Sequence, residues 1–311
     1  MKKVLLTSTA LILSAGVAAA EVTVGGNGRM GVVYYEDITA AGTAEEMSFS
    51  SRLRIAFAAS GQTDGGLTFG GGIRADNAAA GANGLAGSVF VSGAFGKLTM
   101  GDIDSAAEKA VGDVSGVGFS GMTNNGLLVA NNGSPWGGDV NETAYLTGGD
   151  DEGALYEYSF GDVSVYASAG QPQSGNDELS AGVKYSAGGY SVGLGYEDKD
   201  GIGSHTIIGG SATFGAATVK ANYGQSDLDF AAADFEQYAI SLDYVFGATT
   251  VTGFYRVFDF DAAGLADTEF VGLGASYDLG GGAALKGGIV NVDTDGLPSQ
   301  MRADFGITMN F

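Results

Sequence analysis

The chain has 311 residues, no cysteine and a formal charge of −22, with 36 acidic against 14 basic residues. That balance excludes nucleic-acid binding through a basic field, and the missing thiols exclude disulfide frameworks and thiolate metal sites. Acidity of this degree suggests disorder, but 45% hydrophobic residues with 14 Tyr and 17 Phe are enough to fold, and 55 Gly beside 3 Pro fit glycine-rich β structure.

The first twenty residues carry Lys2 and Lys3, an apolar stretch from Val4 to Val17, and Ala18-Ala19-Ala20 before Glu21. This is the three-part plan of a secretory signal peptide, so residues 1–20 are expected to be removed and the mature domain to run from 21 to 311. After Ala20 no stretch of about 18 apolar residues occurs that could form a spanning helix. An exported chain of this kind is therefore soluble or a β-barrel.

From there the main signal is alternation at period two in segments of roughly ten residues. In the second segment Leu53, Ile55 and Phe57 alternate with Arg52, Arg54, Ala56 and Ala58; in the third, Leu67, Phe69 and Ile73 alternate with Thr68, Gly70, Gly72 and Arg74. The last reads Ala303, Phe305, Ile307, Met309 and Phe311 against Arg302, Asp304, Gly306, Thr308 and Asn310. About sixteen strands follow, near 22–35, 48–60, 66–77, 87–95, 97–102, 154–160, 163–170, 178–187, 190–198, 204–214, 217–226, 235–246, 249–259, 268–279, 283–292 and 300–311. Helical periodicity is not convincing in any long window.

The connections come in two sizes. Short reversals recur as Phe95-Gly96-Lys97, Phe160-Gly161-Asp162, Phe214-Gly215-Ala216 and Phe246-Gly247-Ala248, with Gly188-Gly189 and Gly280-Gly281-Gly282 in equivalent places. Longer ones, 36–47, 78–86, 171–177, 227–234, 260–267 and 293–299, are rich in Asp, Glu, Ala and Gly. Short turns at one rim and long polar loops at the other, with an even strand count, are the plan of an outer-membrane barrel. One connection, 103–153, is far longer than the rest, which in a compact protein points to a functional insertion.

By parity, Arg29, Arg52, Arg54, Arg74, Lys184, Lys220, Arg256, Lys286 and Arg302 all stand opposite the apolar positions. A lipid-facing wall requires this, though a soluble sandwich would also allow it. Aromatic residues near strand ends, such as Tyr34-Tyr35, Tyr156/Tyr158/Phe160 and Tyr244/Phe246, favour the membrane barrel because interfacial girdles are expected there. A closed barrel also needs its last apolar strand to pair with its first.

The sequence resembles the sixteen-stranded trimeric general porins of Gram-negative bacteria, in particular the purple non-sulfur bacterial type. The carrying segments are Arg29-Met30-Gly31-Val32 after Glu21-Val22, Ser50-Ser51-Arg52, LAGSVFVSGAFGKLTMGD over 85–102, Tyr145-Leu146-Thr147-Gly148, Phe246-Gly247-Ala248-Thr249-Thr250-Val251 and the run from Gly272 to Gly282. The resemblance implies an all-β transmembrane antiparallel barrel in the bacterial outer membrane, assembled as a homotrimer in lipid and passing small hydrophilic solutes and ions through a water-filled pore. It also implies that 103–153 folds inward as a constriction loop. Carried over residue by residue, Arg29, Arg52, Arg54 and Arg74 form a basic wall, four of the six arginines in the chain, and Asp104, Glu108 and Asp113 the facing acidic lip. A substrate-selective channel and a barrel scaffold for adhesion are the alternatives.

No cofactor is required on this reading. Members of the family hold calcium among loop carboxylates, and Asp150, Asp151, Asp293 and Asp295 are the candidates here, with ordinary solvated loop charge as the competing reading. His205, the only histidine, leaves no multi-histidine metal site; it reads as a lumen wall residue, with a serine-histidine hydrolase as the rival. Trp136 reads as a loop anchor or a stacking platform. Gly70-Gly71-Gly72 reads as a site of strand curvature, since no helix follows it.

Overall fold

The computed structural model describes residues 21–36, 47–76, 85–122, 143–146, 152–170, 177–229, 234–261 and 266–311. The expected signal segment 1–20, Trp136, Asp150 and Asp151 lie outside the described residues.

Sixteen strands form one closed antiparallel barrel in which each strand pairs with its sequence neighbours. They are β1 (Glu21–Tyr35), β2 (Met47–Gln62), β3 (Thr68–Asp76), β4 (Leu85–Gly93), β5 (Gly96–Asp102), β6 (Glu152–Phe160), β7 (Val163–Gly170) and β8 (Glu178–Ala187), then β9 (Tyr190–Lys199), β10 (Gly203–Phe214), β11 (Ala217–Leu228), β12 (Phe235–Phe246), β13 (Thr249–Phe260), β14 (Thr268–Gly280), β15 (Ala283–Thr294) and β16 (Gln300–Asn310). The expected strand set is met throughout, with β7, β8 and β12 matching at both ends and no other bound shifted by more than two residues. One element was not expected: a six-residue helix, α1 (Ala106–Val111), between β5 and β6.

Closure is made by β1 against β16, in register from Asn27 opposite Asn310 to Tyr35 opposite Arg302. Beyond the strand end the Gly26 and Phe311 peptide groups exchange two hydrogen bonds of 2.7 and 3.0 Å. Closure leaves no strand edge to be covered, which hydrocarbon demands because it offers an open edge no partner.

Alternation then sorts the side chains. Leu53, Ile73, Val89, Leu194, Ile240, Leu273 and Phe305 stand exposed on the outer surface, Phe305 at 62%. A continuous apolar coat of this kind is a liability in water and is required of a wall that meets lipid. The short turns repeat Gly161, Gly215 and Gly247 at positive φ near 62°, a conformation that glycine adopts without steric cost.

The wall is not of even height. Strands β3 to β7 have seven to nine residues, whereas β10 to β15 have twelve or thirteen. At about 3.3 Å per residue the seven-residue β5 reaches only about 23 Å, less than a bilayer core of about 30 Å. Outside this low sector lies an apolar depression of about 1000 Å³, floored by small residues including Ala59, Gly71, Gly87 and Ala154.

Ile240, outward and half-exposed near the middle of β12, tests the assignment of faces. Ile240→Arg is expected to destabilise the folded barrel by about 2–4 kcal/mol, read by denaturant unfolding in phospholipid vesicles.

Candidate functional site

After Asp102 the chain turns into the barrel. Ser105 caps α1, its hydroxyl oxygen accepting the Glu108 N–H at 3.1 Å. The barrel wall takes two more of the first-turn donors: Ala106 N–H donates to Ser168 Oγ and Ala107 N–H to Ser180 Oγ, both at 2.9 Å. Donors that would otherwise be orphaned thus fix the helix to β7 and β8.

The helix lies close to the wall because the wall presents glycines where the two approach most nearly. A Cβ on Gly182 would stand 2.4 Å from Ala106 O, one on Gly193 2.1 Å from Ala110 O, and one on Gly195 2.5 Å from Ala107 Cβ. Ala106, Ala107 and Ala110 are fully buried against this strip. The glycines and alanines of β8, β9 and α1 are therefore two halves of one contact.

Beyond the helix the loop continues around the inner wall. Ser115 N–H donates to Ser241 Oγ at 2.9 Å and its hydroxyl to Asp243 Oδ2 at 2.6 Å. Val117 sits over Gly274 and Gly288, and Phe119 over Gly31 and Gly306. At the far end Asp304 Oδ2 accepts from Phe119 N–H, Ser120 N–H and Ser120 O–H at 3.0, 2.8 and 2.6 Å. Arg29 Nη1 donates to the carbonyls of the same two residues at 3.3 and 2.7 Å. Gly118 makes this approach possible: a Cβ there would come within 2.3 Å of Asp304 Oδ1.

A returning piece, 143–146, packs against the loop and the wall. Asp113 Oδ1 accepts the Thr143 N–H at 2.7 Å, and Tyr145 donates its hydroxyl hydrogen to Gly112 O at 3.1 Å. Gln237 clasps Ala144 twice, accepting its N–H at 2.9 Å and donating to its carbonyl at 2.7 Å, while Glu197 Oε2 accepts the Leu146 N–H at 2.7 Å. Val117, Met122, Ala144 and Leu146 join Phe254, Phe258, Phe270 and Val290 in an apolar cluster that fills this side of the interior.

His205 belongs to the same network. Its Nε2 lies 3.2 Å from the Gln237 amide nitrogen, a donor, which leaves the ring hydrogen on Nδ1 to donate to Ser226 Oγ at 2.7 Å. In that sense Ser226 accepts from the imidazole rather than being activated by it. His205 and Ser226 are both 1% exposed, so the histidine faces inward as expected but is covered by the loop.

The sequence candidates divide. Arg29 and Arg52 stand opposite each other on β1 and β2, and Arg54 and Arg74 occupy inward positions of β2 and β3. Arg52 also donates to Asn27 Oδ1 at 3.3 Å, and Arg29 is engaged with the loop backbone. Asp104 and Glu108 lie on the first turn of the inserted loop beside Lys109, which pairs with Asp104. That places them against β7 to β9, about six strands around the wall from β2 and β3. Asp113 lies further along, held by Thr143.

Burial, then the neighbouring Asp104, Asp113 and Glu197 carboxylates, pushes Glu108 up to about 8, with Lys109 partly opposing. Burial also raises Asp113, against the bonds from Thr143 and the nearby Arg256 and Lys220. Of the calcium candidates, Asp293 and Asp295 stand exposed at the end of β15, and no group of three or more His, Cys, Asp or Glu gathers into a metal site among the described residues.

Sequence reasoning missed the residues that hold the loop: Ser168, Ser180, Glu197, Gln237, Asp243 and Asp304. All have inward parity, and an acid or amide on the inward side of an apolar-coated strand was the available signal. The helix also had one, the Ser105-Ala106-Ala107-Glu108 capping pattern.

A family model described as Gram-negative porin matches residues 7–297. The porin of Rhodobacter capsulatus is 39% identical over 327 residues, spanning 94% of this chain and all of the relative, and that of Fuscovulum blasticum is 29% identical over the same shares. A porin structure refined at 1.8 Å resolution superposes with a TM-score of 0.74 at 35% identity, covering 94% of this chain and all of the other.

Asp304→Ala leaves three buried donors of the loop without an acceptor, each costing about 1–3 kcal/mol. The variant is expected to lose thermal stability and to show noisier open-channel current as residues 118–122 leave the wall, both measurable on purified protein.

Proposed function

The chain belongs to the Gram-negative porin family, and from that premise we propose that it is a general diffusion pore, passing small hydrophilic solutes and ions through the outer membrane without tight binding. The observation that carries the reading is the course of the inserted loop. It lines the inner wall from β7 round to β1 and leaves the arginine-bearing sector of β2 and β3 facing it.

In this reading Arg52, Arg54 and Arg74 form the positive side of the passage and Asp104 the negative side, joined by Glu108 once the pH rises above about 8. A transverse field of this kind orients dipolar solutes and disfavours apolar ones, while weak binding preserves throughput. Single-channel steps in a planar bilayer test the pore itself, and their consistent absence from folded protein would overturn it. Liposome swelling with sugars of rising size tests generality: a smooth decline with size is expected, and a preference for one sugar irrespective of size would contradict it.

The assembly is a homotrimer, and the low sector β3 to β7 is its contact face. Strands shorter than those of the opposite wall, with β5 below the span of the bilayer core, and a depression floored by glycine and alanine suit burial against a second copy better than exposure to lipid. Electrophoresis of unheated samples, native against Val89→Arg, reads this: the charge at that outward position should shift trimer to monomer. Segment 1–20 is removed on export, so amino-terminal sequencing of the membrane protein should begin at Glu21.

Two expectations concern selectivity. Neutralising Arg52 and Arg54 to Gln should raise cation preference, read as a changed reversal potential in a salt gradient. For Glu108, whose proton affinity is raised by folding, the carboxyl is neutral below and charged above about 8. Cation preference should therefore rise as pH passes upward through that value, and Glu108→Gln should flatten the rise. Stability moves the opposite way: the ionised form is disfavoured in the fold, so stability falls as pH rises between the ordinary carboxylate range and about 8.

A further inference from the structure

Under the end of α1, on the side of the barrel that carries the short turns, the loop roofs a polar recess of about 280 Å³. Its lining includes Lys184 on β8, Ser191 on β9, Ser211 on β10, Lys220 and Asn222 on β11, and Asp113 from the loop. These are inward positions of four consecutive strands. Ser191 stands directly opposite Ser211, and Ser211 opposite Lys220.

Most cationic groups inside this barrel are committed. Lys97 pairs with Glu157, Arg29 holds the loop carbonyls, Arg302 donates to Met122 O, and Arg256 lies 4.1 Å over the Phe258 ring. Lys184 and Lys220 form no ion pair among the described residues. The one carboxylate in the recess, Asp113, already accepts the Thr143 N–H through Oδ1. With it ionised the recess still carries a net positive charge.

The serine pair adds a donor. Its hydroxyls lie 2.8 Å apart, and one hydrogen serves that contact, so the second hydroxyl keeps a hydrogen to give. Ammonium and hydroxyl donors converging on a small wet space suit an oxyanion. The ligand's shape follows from the strand spacing. The backbones of β8 and β11 are three spacings apart, about 14 Å, so lysines reaching in from both ends meet an elongated acceptor with charge at each end better than a point ion. The volume lies below that of pockets for drug-sized ligands, about 300–1,000 Å³, so the group held is small.

We propose that this recess is a low-affinity oxyanion station on the short-turn side of the constriction, holding the diphosphate group of small phosphorylated solutes between Lys184 and Lys220. The proposal rests on the pore reading above. Occupancy must be brief, since a site that held its ligand tightly would stop the flow.

The test uses full-length protein in planar bilayers in potassium chloride, with inorganic pyrophosphate added first to one chamber and then to the other. Brief current blockades are expected, appearing at lower pyrophosphate concentration from one side than from the other. In K184Q/K220Q the half-blocking concentration should rise about tenfold, equivalent to about 1.4 kcal/mol. In K286Q, an inward lysine of β15 outside the recess, it should not change. Conducting native protein without blockades, an unaltered double variant, or an equal loss in K286Q would each overturn the station. If the double variant makes no channels, K184Q and K220Q singly decide by the same criterion. Absence of channels from folded native protein would instead count against the pore reading, which keeps the two failures distinct.

Discussion

A peptide group in hydrocarbon has no water to bond, and the rest of this molecule follows from that. Every strand must have two partners, so the sheet closes through β1 and β16. Closure divides the side chains into two populations by parity alone. Whatever the pore is to do must then be built from inward positions and from chain inserted into the space they surround. The long insertion solves the second problem without opening the wall, because its backbone groups bond to inward serines, carboxylates and amides.

The inserted segment also explains features that composition leaves opaque. High glycine content is expected of β structure in general, but Gly182, Gly193 and Gly195 serve a particular purpose as the seat of α1, and Gly31, Gly274, Gly288 and Gly306 as seats for Val117, Gly118 and Phe119. Charge also serves structure: Arg29 and Asp304 grip the two sides of one short backbone stretch. Arg29, expected in a basic wall, stands opposite Arg52 and donates to the carbonyls of Phe119 and Ser120.

The barrel was legible because alternation is a local code repeated in every strand, and each short reversal carries glycine, which the fold holds at positive φ. Leu53, Ile55 and Phe57 against Arg52 and Arg54 give both the strand and its orientation. The loop was legible only as an excess of length. Nothing near Ser168 or Gln237 in the sequence says what it will touch, because its partner is 62 or 93 residues away and meets it only inside the closed wall. Helix α1 escaped because six residues give too short a window for periodicity, although its cap was visible. The apolar inward residues Phe254, Phe258 and Phe270 break the expected polar lining for the same reason: they face the returning loop instead of water.

The grip on Phe119 and Ser120 comes from both sides of the closing seam, Asp304 on β16 and Arg29 on β1, while Phe119 rests on Gly31 and Gly306, which face each other across it. These strands lie at opposite ends of the chain and become neighbours only when the cylinder shuts. This two-sided anchorage therefore does not exist in any open sheet: it can be made in full only where the wall is complete. Once seated, that stretch spans the join from within like a stitch, so the part that narrows the passage also fastens the two ends of the sheet together.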